Sequence, residues 1–310
     1  IDSPDRDIYI SSKGHDVPGL YSIFYSLGIL PLEKLMKLRR LNGLDGHPEI
    51  NIPGIEASTG SLGMGISKGK GMAWAKKYRN NGGHVYVLIG DGELQEGQIY
   101  EALQTTVHQK ISNITVIVDR NKYQTDKNTE NIISLKNLMD KFSAFGWYVD
   151  QFDGHNYEEL ERVFDKSDQE KNLPKILIAD TIKGKGVSFM EPNENNELYK
   201  WHSGAPDDLS FKKGIDELLS KINKTFSEWN MHLIEIEDIQ EDAKIKSNVS
   251  KEYIAEAYGV ELVKIAGERD DIVVLDGDLS ADCKIRGFEN KYPNRFIENG
   301  IAEQDMVSMA

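Results

Sequence analysis

The chain has 310 residues, and 37 basic against 51 acidic side chains give a formal net charge of −14. At roughly 100–200 residues per domain this suggests two domains or one large one, and 39% apolar residues are enough to build a core. Apolar runs such as 85–89 fall far short of the ~20 residues of a membrane span, the acidic balance speaks against a nucleic-acid surface and for a small-molecule substrate, and the lone Cys283 excludes a disulfide framework and fits a reducing, cytoplasmic setting.

Residues 18–30 and 32–42 read as two short helices split by Pro31. A turn rich in glycine, Ser58 to Gly65, feeds a helix to about Tyr78. The pattern then alternates: strand 84–89, helix 95–108, strand 114–119, helix 135–145, strand 147–152, helix 157–166 and strand 175–182. Continuous apolar runs alternating with amphipathic ones predict an α/β fold with a doubly wound parallel sheet, whose ligands sit at the carboxyl ends of the strands. Candidate sites therefore fall at 90–92, 119–123 and 183–186. A first domain is expected over 1–205, a linker over 206–248, and the start of a second similar domain over 249–310, with a helix at 251–266, strands at 271–276 and 296–298, and a helix opening at Ala302. Because the chain opens on Ile1 and stops at Ala310 within a helix-like pattern, it reads as a piece of a longer one.

The glycine clusters do not fit a P-loop, and Gly90-Asp91-Gly92-Glu93-Leu94-Gln95-Glu96-Gly97 does not fit the dinucleotide spacing. It carries instead a carboxylate inside the turn. Beside a diphosphate that charge would repel unless a hard divalent cation lay between, and such a cation takes oxygen ligands. Asp91 ends one strand and Asn121 the next, so a strand-helix-strand unit brings both oxygens toward one ion, with the Tyr123 carbonyl as a third ligand.

Gly90-Asp91-Gly92 with Asp119-Arg120-Asn121 resembles the metal and diphosphate motif of thiamine diphosphate enzymes. Ser11-Ser12-Lys13-Gly14-His15-Asp16, Asp45-Gly46-His47-Pro48-Glu49, Thr59-Gly60-Ser61-Leu62-Gly63, Lys183-Gly184-Lys185-Gly186 and Trp201-His202-Ser203-Gly204 narrow the resemblance to the transketolase family. Arg295 to Gln304 resembles the start of that family's pyrimidine-binding domain. Around 183–190 and 201–206 the motif style is similar to the short bacterial and archaeal type, with Ser61 and Ser203 replacing residues common in the best-known members.

The resemblance implies transfer of a two-carbon ketol unit between sugar phosphates through a C2 carbanion of thiamine diphosphate, with Mg²⁺ or Ca²⁺ held by Asp91, Asn121 and Tyr123. It implies that Glu303 contacts the aminopyrimidine ring nitrogen, in a setting whose burial would raise its pKa. Glu96 corresponds to the glutamate that meets the Glu303 counterpart across a homodimer interface. Gly92 lets backbone approach the diphosphate, Gly60 and Leu62 contact the aminopyrimidine, and Ile182 packs near the thiazolium. His15, His47 and His202 surround the diphosphate and the sugar, and Arg286 resembles a substrate-phosphate ligand. Two alternatives stay open: a related enzyme such as deoxyxylulose-phosphate synthase or a 2-oxoacid dehydrogenase component, and a catalytically silent homologue acting as an interaction protein.

Overall fold

The computed structural model describes residues 3–193, 198–236 and 254–310. Five parallel strands, β1 (Ile8–Ser11), β2 (Val85–Gly90), β3 (Ile114–Arg120), β4 (Tyr148–Asp153) and β5 (Lys175–Asp180), form one sheet in the order β1-β2-β3-β5-β4. Period-two alternation decides which helix covers which face. On β5, Ile176 and Ile178 join a core with Val85, Val87 and Ile89 of β2, Ile66 and Ala73 of α3 (Gly65–Tyr78), Ile99 and Leu103 of α4 (Gly97–His108), and Phe142 of Leu138–Ala144. Leu177 and Ala179 point the other way, into a second cluster with Phe152 of β4 and Val163 of the helix Tyr157–Gln169. Helices on both faces are the arrangement an α/β sheet requires, and they explain why β2 and β3 read as unbroken apolar runs.

Register then positions the loops. Ser11 pairs with Leu88, Gly90 with Asp119, and Arg120 with Asp180, so the segments leaving β1, β2 and β3 emerge along one edge. β1 itself is an addition to the strands expected. The first two helices are α1 (Val17–Ser26) and α2 (Leu32–Leu35), and the second ends well before residue 42. Arg39 and Asn42 adopt left-handed backbone (φ 57° and 60°), and the Arg39 amide turns back onto the Leu44 carbonyl at 2.7 Å.

The chain divides into two compact units, 1–124 with 128–181 and 299–310, and 125–127 with 182–298. This division differs from the one read in the sequence. The second unit holds a 21-residue helix, Asp208–Glu228, where a linker was expected, because its N-terminus is capped by Asp207 accepting from the Ser210 amide at 2.8 Å. It also holds Ile254–Glu268, the helix Arg286–Lys291, and the parallel pair β6 (Val274–Asp276) and β7 (Phe296–Glu298). The expected linker residues 237–248, and the first turn of the helix expected from 251, lie outside the described residues. No helix among the described residues is long and apolar enough to cross a membrane.

Candidate functional site

In the first unit, the segments after β1, β2 and β3 and the glycine turn meet at the carboxyl edge of the sheet. Thr59 Oγ1 donates to the Ser11 carbonyl at 2.7 Å, which ties the glycine turn to the loop after β1. Gly14 lies so close to Thr59, Gly60 and Pro48 that a Cβ there would stand 2.9 to 3.0 Å from their atoms. Gly60 has φ 130°, and a Cβ on it would stand 2.8 Å from Cδ2 of His47. The glycine is therefore required twice, for its backbone angle and for the imidazole laid against it. The Tyr21 hydroxyl donates to the His47 carbonyl at 3.2 Å and fixes the other side of that residue. His15 and His47 are both exposed, and Leu62 is half-buried.

Asp91 is 2% exposed. Its Oδ1 accepts from the Gly92 amide at 2.8 Å and its Oδ2 from the Lys122 amide at 2.6 Å, with Lys122 in left-handed backbone at φ 66°. Burial nevertheless pushes this carboxyl up to about 6, the two amide bonds pulling the other way. Asn121 Oδ1 accepts from the Tyr123 amide at 3.0 Å, and its Nδ2 donates to Asp119 Oδ2 at 3.5 Å. Asp119 in turn pairs with Lys13 and accepts from Thr181 Oγ1. Burial works against both charges of that pair, yet their attraction prevails: Lys13 is raised and Asp119 lowered. A buried carboxylate, an asparagine oxygen and a nearby backbone carbonyl are hard donors that suit Mg²⁺, and a cation would relieve the burial cost that Asp91 shows. At Gly92 an added Cβ would meet Gln124 at 3.2 Å and Ile301 at 3.3 Å, so a side chain there would crowd these two neighbours.

Glu303 opens the helix Glu303–Met309, and the segment before it is tied down by the Ile301 amide donating to Gln95 Oε1 at 2.9 Å. Its carboxyl hydrogen-bonds that of Glu96 of the same chain, where the resemblance led to the pair being expected across a homodimer interface, and burial together with the Glu303 charge pushes Glu96 up to about 7. In this chain Glu303 is exposed and Glu96 is half-buried.

The remaining expected residues belong to the second unit. His202 Nδ1 lies 2.8 Å from Lys183 Nζ, which also sits over the Tyr199 ring at 5.0 Å. Ile182 is 42% exposed and lies past the end of β5, which stops at Asp180. The Arg286 guanidinium is held by Asp126 and Glu289, each at 2.6 Å. Those carboxylates are different partners from the substrate phosphate expected for it.

Sequence reading passed over Glu93, Lys13, Asp119 and Gln95. All four stand inside or next to the quoted motifs. The available signal was position within the motif, since their partners are distant in sequence.

Residues 2–207 match the family described as transketolase, thiamine diphosphate binding domain. One of the subunits of the apulose-4-phosphate transketolase of Phocaeicola vulgatus is 40% identical over 226 residues, 73% of this chain and 79% of its own length. The transketolase of Homo sapiens is 34% identical over 322 residues, 99% of this chain and 50% of its own, so the chain spans about half the length of that relative. Among solved structures, the transketolase of Campylobacter jejuni superposes with a TM-score of 0.59 over 96% of this chain and 53% of its own at 24% identity, a likeness of fold.

Proposed function

This chain belongs to the transketolase family, and from that premise we propose that it supplies the diphosphate-binding part of an enzyme moving a two-carbon ketol unit from a ketose phosphate to an aldose phosphate. Thiamine diphosphate, when bound, supplies the nucleophilic carbon and the electron sink for that chemistry. The protein's task is to bind it, orient it and move protons.

The observation that carries the reading is the Glu96–Glu303 carboxyl pair. With its carboxyl near 7, Glu96 keeps a proton over much of the neutral range and can donate it to the Glu303 carboxylate. Glu303 can then hold a proton at the aminopyrimidine ring nitrogen, the role its motif implies. Asp91 and Asn121, with the Tyr123 carbonyl, would hold Mg²⁺ against the diphosphate, and the Gly92 backbone would close on the same group. Gly60 and Leu62 would line the aminopyrimidine. Ile182 would pack near the thiazolium.

His47 and His15 are the first unit's candidates for substrate hydroxyls, with the fit of His47 against Gly60 in support. His202 is the second unit's candidate, with its Nδ1 2.8 Å from Lys183 Nζ and an imidazole that can donate, accept or shuttle a proton near neutral pH. Arg286 is retained as a substrate-phosphate ligand only on its motif position.

As in the family generally, a homodimer is the expected assembly. The human relative matches through 99% of this chain, second unit included, which supports one continuous polypeptide. The Phocaeicola relative, itself one subunit of its enzyme, supports a second arrangement, in which a separate chain completes the site. Mixing the complete protein, Mg²⁺ and thiamine diphosphate with a ketose phosphate and an aldose phosphate should yield a ketose two carbons longer than the acceptor. Turnover of pyruvate with no ketol transfer would move the assignment to the decarboxylating relatives, and ketol transfer only on adding a second chain would favour the split arrangement.

A further inference from the structure

Glu93 has no part in the chemistry above, yet it is 2% exposed in the middle of the loops that would carry it. Its Oε1 accepts from Ser12 Oγ and from the Gly63 amide at 2.8 Å, and its Oε2 accepts from the Gly90 amide at 3.2 Å. These donors come from three segments: the loop after β1, the glycine turn before α3, and the last residue of β2.

Bond directions are fixed by a fourth contact. The Gly65 amide donates to Ser12 Oγ at 3.1 Å, so the serine hydroxyl has its own proton to turn toward Glu93. All three groups that hydrogen-bond the side chain are thus donors; burial pushes the Glu93 carboxyl up while these bonds pull it down, and the carboxylate is the form that can accept from all of them. A glutamine of the same shape would set its NH₂ against one of those N–H or O–H groups, leaving a buried donor unsatisfied. Gly63 adds a geometric link, since its φ is 80° and a Cβ on it would lie 2.6 Å from Cβ of Glu96. Anchoring the Gly63 amide therefore also sets the glycine turn against the Glu96 side chain.

We propose that Glu93 is a positioning residue for the cofactor: through Ser12, Gly63 and Gly90 it holds three loops in the relation in which Gly60, Leu62, Asp91 and Gly92 meet thiamine diphosphate. The role rests on the proposed function, and it is indirect, because Glu93 acts through its neighbours. A locked supporting shell of this kind typically controls affinity by about 10- to 100-fold.

The test uses the complete protein with thiamine diphosphate and Mg²⁺. Glu93→Gln should raise the cofactor concentration for half-saturation about tenfold or more, while kcat at saturating cofactor stays within about twofold. Without cofactor, amide exchange at Gly63, Gly65 and Gly90 should rise about tenfold, with β3 unchanged. Ser12→Ala should weaken cofactor binding about threefold and add little to Glu93→Gln when combined, because both break one relay. If Glu93→Gln does not fold, Ser12→Ala alone decides by the same readouts. Unchanged half-saturation in the variant, or exchange rising equally through β2 and β3, would overturn the positioning role alone. No cofactor binding by the parental protein would overturn the proposed function, and this role with it.

Discussion

The carboxyl of Glu96, at the entrance of α4, shares a hydrogen bond with the carboxyl of Glu303, which opens the last helix of the chain. Two carboxyls in contact cannot both ionise without repulsion, and one of them keeps its proton to a higher pH.

That pair predicts a pH dependence of stability. The folded state holds a proton on Glu96 up to about 7, whereas the unfolded chain releases it near the ordinary glutamate value of about 4.5. Across that window the folded form binds more protons, so stability falls as pH rises from about 4.5 to 7. Glu96→Gln should flatten that part of the melting-temperature profile. An unaltered slope would mean that Glu96 is not the group responsible.

Gly60→Ala should be damaging out of proportion to one methyl group. Its φ of 130° disfavours any side chain, and the new Cβ would press on His47. Strain of this kind costs about 1–3 kcal/mol. Thermal or denaturant unfolding should show that loss, together with weaker cofactor binding. A variant as stable as the parental protein would show that the turn adapts.

Asp91→Asn should lose on two counts. Each Asp91 oxygen takes a backbone amide, at 2.8 and 2.6 Å, so an asparagine NH₂ must face a donor. The expected cost is about 1–3 kcal/mol of stability. Mg²⁺-dependent binding of thiamine diphosphate should weaken at least about tenfold, read by titration with and without the metal. Retained metal dependence would remove Asp91 from the ligand set.

His84 gives a prediction independent of function. Burial, helped by the Lys175 charge, lowers its pKa to about 4, and its Nε2 lies 2.8 Å from Thr115 Oγ1. The unfolded chain takes up that proton near 6.5, so the contribution of neutral His84 is complete above about 6.5 and is lost as pH falls toward 4. His84→Gln should reduce the acid sensitivity of unfolding in that window. An identical acid profile would contradict it.

Much of the sheet was legible because both of its faces are covered, which makes β2 and β3 read as apolar runs. Placing Asp91 near Asn121 needed only that two successive strands be parallel neighbours, and Gly90 does pair with Asp119. β1 escaped notice because it is four residues long, with only Ile10 and Ser11 buried in it. The helix Asp208–Glu228 does carry a helical signal in its sequence, with Phe211, Ile215, Leu218, Leu219, Ile222 and Phe226 at helical spacing, but the polar composition after Ala205 drew the linker reading instead. Glu93 was invisible for a different reason. A glutamate after a strand normally reads as a solvated residue in a helix's first turn, and Ser12 and Gly63 reach it only through the tertiary fold.

The most direct test of the account is deuterium exchange at C2 of thiamine diphosphate, followed by NMR in the complete protein with Mg²⁺, comparing the parental form with Glu303→Gln. The parental protein should exchange that proton rapidly. The variant should bind the cofactor with similar affinity yet exchange it at least about a hundredfold more slowly, in line with loss of a general acid-base group. Equal exchange in the two proteins, at full cofactor occupancy, would contradict the role of Glu303 and the reading built on it.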